Sequence, residues 1–166
     1  DVITATDGEI QLRLGVGDGS LEPMTTLAHA RGQFLLAVDL DSDGATDLVT
    51  QSDSLWIGVL RGHGDGSFDA LVRVPCAMAP VRAVAGRFDG GTTLDILTLS
   101  PRSNTLSLFR GIGDGTFLPR LDIPVAAAPS ALASADLDGD GDLDAVVTHR
   151  FSNTLSVLAG DGAGGF

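Results

Sequence analysis

The chain has no tyrosine and no lysine, and only one cysteine, one tryptophan and two glutamates among its 166 residues. A lone Cys76 forbids an intrachain disulfide. Nothing around it in sequence would lower its pKa, so it reads as a small buried hydrophobe and not as a nucleophile. Cysteine therefore leaves the compartment undecided. No apolar run approaches the roughly 18 residues of a membrane-crossing helix, no signal peptide is recognisable, and Asp1 stands where a Met would open a primary translation product. The expectation is a processed or trimmed piece. The 10 basic residues are all Arg and form no run, against 22 acidic residues of which only Glu9 and Glu22 are not Asp, giving a net charge of -12. Such a chain should repel phosphate backbones and anionic lipid, so neither nucleic acid nor membrane insertion is expected. A cation is the natural partner. His29, His63 and His149 fall at unrelated points, and no Ser-His-Asp or Cys-His grouping recurs, so the chain is not expected to be an enzyme.

What the chain has is hydrophobic residues (43%), glycine (22 residues) and short apolar runs broken by turn signals. That composition can bury a core and favours many short strands over helices. Self-similarity is strong. Gly15-Val-Gly-Asp-Gly-Ser, Gly62-His-Gly-Asp-Gly-Ser-Phe68, Gly111-Ile-Gly-Asp-Gly-Thr-Phe117 and Gly160-Asp-Gly-Ala-Gly-Gly-Phe166 step by 47, 49 and 49 residues. A second marker keeps time with it: acidic segments beginning at Asp39, Arg87 and Asp136.

Between the two markers lie an apolar run (from Asp47, Asp95 and Asp144) and an alternating run, Asn104-Thr-Leu-Ser-Leu-Phe or Asn153-Thr-Leu-Ser-Val-Leu, whose period is that of a strand. With the segment after the Gly turn and an Ala-rich run before the acidic loop, each period holds four strands. Four strands in roughly 45 to 50 residues make one propeller blade. A parallel β-helix would need its Gly-Asp signature about every nine residues. The expected fold class is all-β, with β-propeller blades of four antiparallel strands. The repeats run approximately over 1–29 (partial), 30–74, 81–123 and 130–166 (partial), within a single region 1–166. Closed propellers have about four to eight blades, so the expectation is a fragment, part of a seven- or eight-bladed ring, or a ring closed by oligomerisation.

In Asp39-x-Asp41-x-Asp43-Gly44-x-x-Asp47 and Asp136-x-Asp138-x-Asp140-Gly141-x-x-Asp144, carboxylates occupy positions 1, 3, 5 and 9. Alternate side chains of a tight loop converge, glycine at position 6 allows the bend, and the backbone carbonyl at position 7 (Ala45, Asp142) adds an oxygen. This is a donor set for Ca2+. Zinc would want His or Cys, and magnesium a smaller, stricter shell. An EF-hand begins alike but needs Glu at position 12, where Thr50 and Val147 stand, and helices on its flanks. Four like charges within nine residues also repel one another unless a cation intervenes. The middle loop, Arg87-Phe-Asp89-Gly-Gly91-Thr-Thr-Leu-Asp95, lacks carboxylates at positions 1 and 5 and is expected to bind no calcium, leaving two sites.

Loop, apolar strand, alternating strand and Gly-x-Gly-Asp-Gly-x-Phe together resemble the FG-GAP and VCBS repeats over essentially the whole chain. The resemblance implies a propeller similar to the integrin α-subunit head, metal held between the first and second strands of a blade, and an extracellular protein, secreted or on the cell surface. It implies ligand roles for Asp39, Asp41, Asp43 and Asp47 and for Asp136, Asp138, Asp140 and Asp144. The functional expectation is a calcium-binding, non-catalytic scaffold for adhesion or interaction with a protein or glycan ligand. The alternatives are a carbohydrate-binding (lectin) propeller and an accessory propeller of a larger secreted enzyme. Phe68, Phe117 and Phe166 are expected to plug the core. Trp56 is expected as core filler on the strand face opposite Ile57 and Val59, with a binding platform as the other reading.

Overall fold

The computed structural model describes residues 1–6 and 8–166, and among these there are fourteen strands and no helix. The all-β expectation holds. None of the described residues forms a helix long and apolar enough to cross a membrane.

The strands group in chain order into four antiparallel sheets. The first holds β1 (Val2–Ala5), β2 (Ile10–Arg13) and β3 (Thr25–Ala28). The second holds β4 (Leu35–Val38), β5 (Asp47–Asp53), β6 (Trp56–Leu60) and β7 (Val72–Pro75). β8 (Arg82–Gly86), β9 (Asp95–Ser100), β10 (Thr105–Phe109) and β11 (Leu121–Pro124) make the third. The fourth is β12 (Pro129–Ala135), β13 (Asp144–His149) and β14 (Thr154–Leu158). Each strand pairs with the next along the chain, the meander of a propeller blade.

The sheets stack in the same order, and the period-two alternation decides which neighbour each side chain meets. In β9, Ile96 turns toward the second sheet, where it packs with Val49, Ile57 and Val59. Leu97 and Leu99 turn the other way, with Leu106 and Leu108 of β10, onto Ala145 and Val147 of the fourth. Leu48 and Leu60 likewise leave the second sheet to meet Ile10 of the first. Sheets with a neighbour on both faces therefore have buried middle strands: every residue of β9 is buried, and all but the last of β5. This explains why β5 and β9 read as continuous apolar runs and not as alternating ones.

The phenylalanine after each Gly turn plugs a different gap between sheets. Phe68 packs between the first and second sheets, Phe117 between the second and third, and Phe166 between the third and fourth. Phe117 meets Phe109 edge-on at 5.9 Å, and Phe166 lies tilted on Phe88 at 6.0 Å. Trp56 departs from its expected role. As the first residue of β6 it is half-buried at the end of the ladder, and it joins none of the three apolar clusters. Cys76 is buried with its thiol pushed up to about 11 by that burial, which suits a packing role.

Phe109 is 1% exposed at the junction of the second and third sheets. Phe109→Ala should cost about 3–5 kcal/mol in chemical denaturation. A loss well under about 1 kcal/mol would mean that the sheets do not stack through this contact.

Candidate metal centre

Each acidic loop joins the first strand of a sheet to its second, so all three stand at the same end of their sheets. The connection must reverse direction in few residues, and the backbone does so with left-handed residues at positions 4 and 6: Ser42 (φ 63) and Gly44 (φ 88), then Gly139 (φ 83) and Gly141 (φ 98). The strain at Ser42 was not foreseeable from a loop pattern that singles out position 6 alone.

The turns aim the carboxylates inward. Oxygens of Asp39, Asp41 and Asp43 all lie within 4.8 Å of one another, as do those of Asp136, Asp138 and Asp144. Part of each carboxylate is spent on the loop's own backbone. Asp39 Oδ2 accepts the Gly44 N–H at 3.1 Å, and Asp136 Oδ2 the Gly141 N–H at 3.1 Å. Asp43 Oδ1 accepts from Ala45 at 2.7 Å, and Asp140 Oδ1 from Asp142 at 2.9 Å. Asp140 stands outside the second triad, and Asp47 outside the first.

One oxygen is left over. Asp39 Oδ1 is buried and has no hydrogen-bond partner. An unpaired buried carboxylate oxygen is costly unless something positive meets it. The charges agree: partial burial, then the like charges of Asp47, Asp43 and Asp39, hold the Asp41 carboxyl above its ordinary range. Asp142 is raised by desolvation and then by Asp140, Asp161, Asp136 and Asp138. An all-oxygen set with one orphaned buried oxygen and raised carboxyls fits a hard dication.

The ninth-position aspartate has a further role that the sequence pattern did not disclose. Asp47 is fully buried. Its Oδ2 accepts the Leu40 N–H at 2.8 Å, and its Oδ1 accepts the Gly62 N–H at 2.8 Å. Asp144 does the same for Leu137 and Gly160, both at 2.9 Å. Asp95, in the loop without a calcium pattern, does it for Phe88 (2.9 Å) and Gly111 (2.9 Å), with Asp89 N–H as a third donor at 3.3 Å. Asp1 accepts from Gly15 at 2.8 Å. This carboxylate ties the acidic loop to the Gly turn that follows the third strand of the blade. The two segments approach so closely that a Cβ at Gly62, Gly111 or Gly160 would collide with the carbonyl oxygen of Thr46, Leu94 or Leu143. The shared spacing of the two sequence markers was the only signal of this contact.

The middle loop has an arginine at position 1. Arg87 Nε donates to the Thr92 carbonyl at 3.1 Å, bridging positions 1 and 6 with the polarity opposite to that of Asp39 and Asp136. A side chain at Gly91 would meet Asp89 Oδ1, which already accepts the Gly91 N–H at 2.9 Å.

The aspartates of the Gly turns are separate from these centres. Asp65 and Asp114 accept hydrogen bonds from both the hydroxyl and the N–H of Ser67 and Thr116, which lowers their pKa. His63 faces Asp69 at 3.2 Å, alongside Arg61, and His149 bonds Ser156 Oγ at 2.9 Å.

Residues 87–147 match the family described as FG-GAP-like repeat. The match spans both the arginine-bridged loop and the Asp136 loop. No curated protein matches the chain.

Asp95→Ala should lower stability by about 3 kcal/mol, because it leaves buried N–H groups of Phe88 and Gly111 without their charged acceptor. The loss, measured by urea unfolding, should be the same with and without chelator. An effect that vanishes in chelator would make Asp95 a metal ligand and not a clamp.

Proposed function

We propose that this chain, a member of the FG-GAP repeat family, is a calcium-binding, non-catalytic β-propeller scaffold that serves adhesion or protein interaction outside the cytoplasm. The observation that carries the reading is the Asp39–Asp41–Asp43 cluster, with one oxygen buried and unpartnered. Two blades further on, Asp136, Asp138 and Asp144 form a second cluster, from loop positions 1, 3 and 9.

Bound calcium would neutralise the carboxylates and supply the ligand that the orphaned oxygen lacks. The residues that would hold it are Asp39, Asp41, Asp43, Asp47 and the Ala45 carbonyl in the first loop. In the second they are Asp136, Asp138, Asp140, Asp144 and the Asp142 carbonyl. Through Asp47 and Asp144, order in the loop passes to the Gly turn and so to the third strand of the blade. Folding is then linked to calcium. Sites of extracellular modules often bind at about 10⁻⁴ to 10⁻³ M, which would leave them empty in the cytosol and filled outside cells. Against an enzymatic role stands the use of the histidines: His63 faces Asp69, and His149 lies between Ser156 and the Ala127 carbonyl.

The raised Asp41 carboxyl fixes a sign. In the metal-free protein, folding favours its protonated form, so that contribution to stability is present at low pH and is lost as pH rises through the raised pKa. Calcium reverses the preference, because it binds the ionised form. Thermal unfolding at neutral pH should therefore show a rise in Tm on adding millimolar calcium, abolished by chelator. Asp41→Asn and Asp138→Asn should each reduce that rise. In chelator Asp41→Asn should not lower Tm at all, since it removes a charge the fold disfavours. Asp89→Asn, in the arginine-bridged loop, should leave the calcium response intact. An unchanged Tm with and without calcium would refute the reading.

A further inference from the structure

The end of the sheets opposite the acidic loops gathers arginines, with Asp53 at the end of β5 as an acidic neighbour in the second sheet. The register sets Arg82 beside Leu99 at one end of the β8–β9 ladder and Gly86 beside Asp95 at the other. In the fourth sheet Pro129 faces His149 at this same end, while Ala135 faces Asp144 at the loop end. Arg102 and Arg150 occupy the β9–β10 and β13–β14 turns. With Arg82 they line a groove of about 410 Å³ between the third and fourth sheets. None of the three pairs with a carboxylate among the described residues, in a chain with 22 acidic residues to 10 basic. The one contact of this kind is internal, Arg82 Nη1 donating to the Val81 carbonyl at 2.8 Å.

The groove has an apolar wall as well. Phe151 is 83% exposed, the most exposed large hydrophobic among the described residues, and lines the groove together with Pro101 and Pro129. A second hollow, of about 430 Å³ between the second and third sheets, adjoins the first and shares Val81 and Arg102 with it. Its lining is polar. It includes Arg31, Gln33 and Gln51, and the Gln51 side-chain oxygen is buried with no partner, in a residue only 3% exposed.

The acidic sequence, with no Arg run to interrupt it, leads one to expect repulsion of phosphate backbones and anionic lipid. The fold gathers Arg31, Arg82, Arg102 and Arg150 from distant positions onto one end. Six-residue strands hold the acidic loops about 20 Å away, more than twice the Debye length of about 8 Å at physiological salt. The net charge therefore does not set the local field.

We propose that these adjoining hollows bind a linear anionic oligosaccharide. Its carboxylate or sulfate groups lie on Arg82, Arg102 and Arg150, one ring lies against Phe151, and hydroxyls meet Gln33 and Gln51. Guanidinium groups recognise planar and tetrahedral oxyanions through paired donors. The C–H face of a sugar suits an exposed aromatic ring, and side-chain amides both donate to and accept from hydroxyls. An inorganic anion would use the arginines but neither the phenylalanine nor the amides. An acidic peptide would supply no ring of hydroxyls for the second hollow. The site is independent of calcium occupancy, since it lies at the far end of the sheets from the acidic loops.

The test uses the calcium-loaded chain on a glycan array bearing sulfated and uronate-containing oligosaccharides beside their neutral counterparts. The best binder is then titrated by calorimetry. Acidic glycans should bind and neutral ones should not. Arg102→Ala and Arg150→Ala should each weaken binding by about tenfold. Phe151→Ala should weaken it by a smaller factor at unchanged salt dependence. All three residues are exposed, so circular dichroism and the calcium-induced rise in Tm should be those of the parent, which separates failure of this site from failure of the calcium centres. Silence across the array, equal binding of neutral glycans, or variants that bind like the parent would overturn the proposal. So would competition by inorganic sulfate or oligoglutamate as effective as that by the glycan.

Discussion

The carboxylate at the ninth loop position joins two backbone segments that no strand ladder connects. Asp47, Asp95 and Asp144 each receive an N–H from the start of the acidic loop, Asp95 a second one there from Asp89, and each receives one from the Gly turn two strands later. The contacts are buried at Asp47 and partly buried at Asp144, and as bonds from N–H to carboxylate they are among the stronger hydrogen bonds available to a blade. They also explain why the two sequence markers keep step. A glycine must stand opposite the loop because any larger residue would strike the carbonyl at loop position 8. Loop and turn are therefore one structural unit, although they lie about 15 residues apart in the chain.

Around that constant clamp the loops vary. Two of them concentrate negative charge, with Asp39, Asp41 and Asp43 or Asp136, Asp138 and Asp144 drawn together. The third has Arg87 at position 1, its Nε donating to the Thr92 carbonyl. The residues at positions 1, 5 and 6 differ among the three, while the clamp and the strand flanks are common to all. At the opposite ends of the third and fourth sheets, Arg82, Arg102 and Arg150 line one groove without carboxylate partners among the described residues.

Much of this was legible in the residues. The 49-residue repeat predicted strands and sheets, since the alternating run Thr105–Phe109 became β10 with Leu106 and Leu108 on one face. Phe68, Phe117 and Phe166 were readable as plugs because each follows a turn that points it back into the stack. What escaped is what depends on three dimensions. The burial of Asp47 follows from a neighbour 15 positions away, and the left-handed Ser42 follows from loop closure. Trp56 shares a strand face with core residues but sits where the ladder ends, so half of it remains outside. Arg82, Arg102 and Arg150 come together only because strand ends that are far apart in sequence meet at one rim.

The proposed calcium centres separate two loops with carboxylates at positions 1, 3, 5 and 9 from a third with Arg87 and Gly91 at positions 1 and 5. Equilibrium calcium binding to the chelator-stripped chain, followed by calorimetry, tests that difference directly. Two ions per chain are predicted, falling to one in Asp39→Asn and to one in Asp136→Asn, with Arg87→Ala leaving the count at two. Absence of calcium binding, or a count of two that survives both aspartate substitutions, would contradict it.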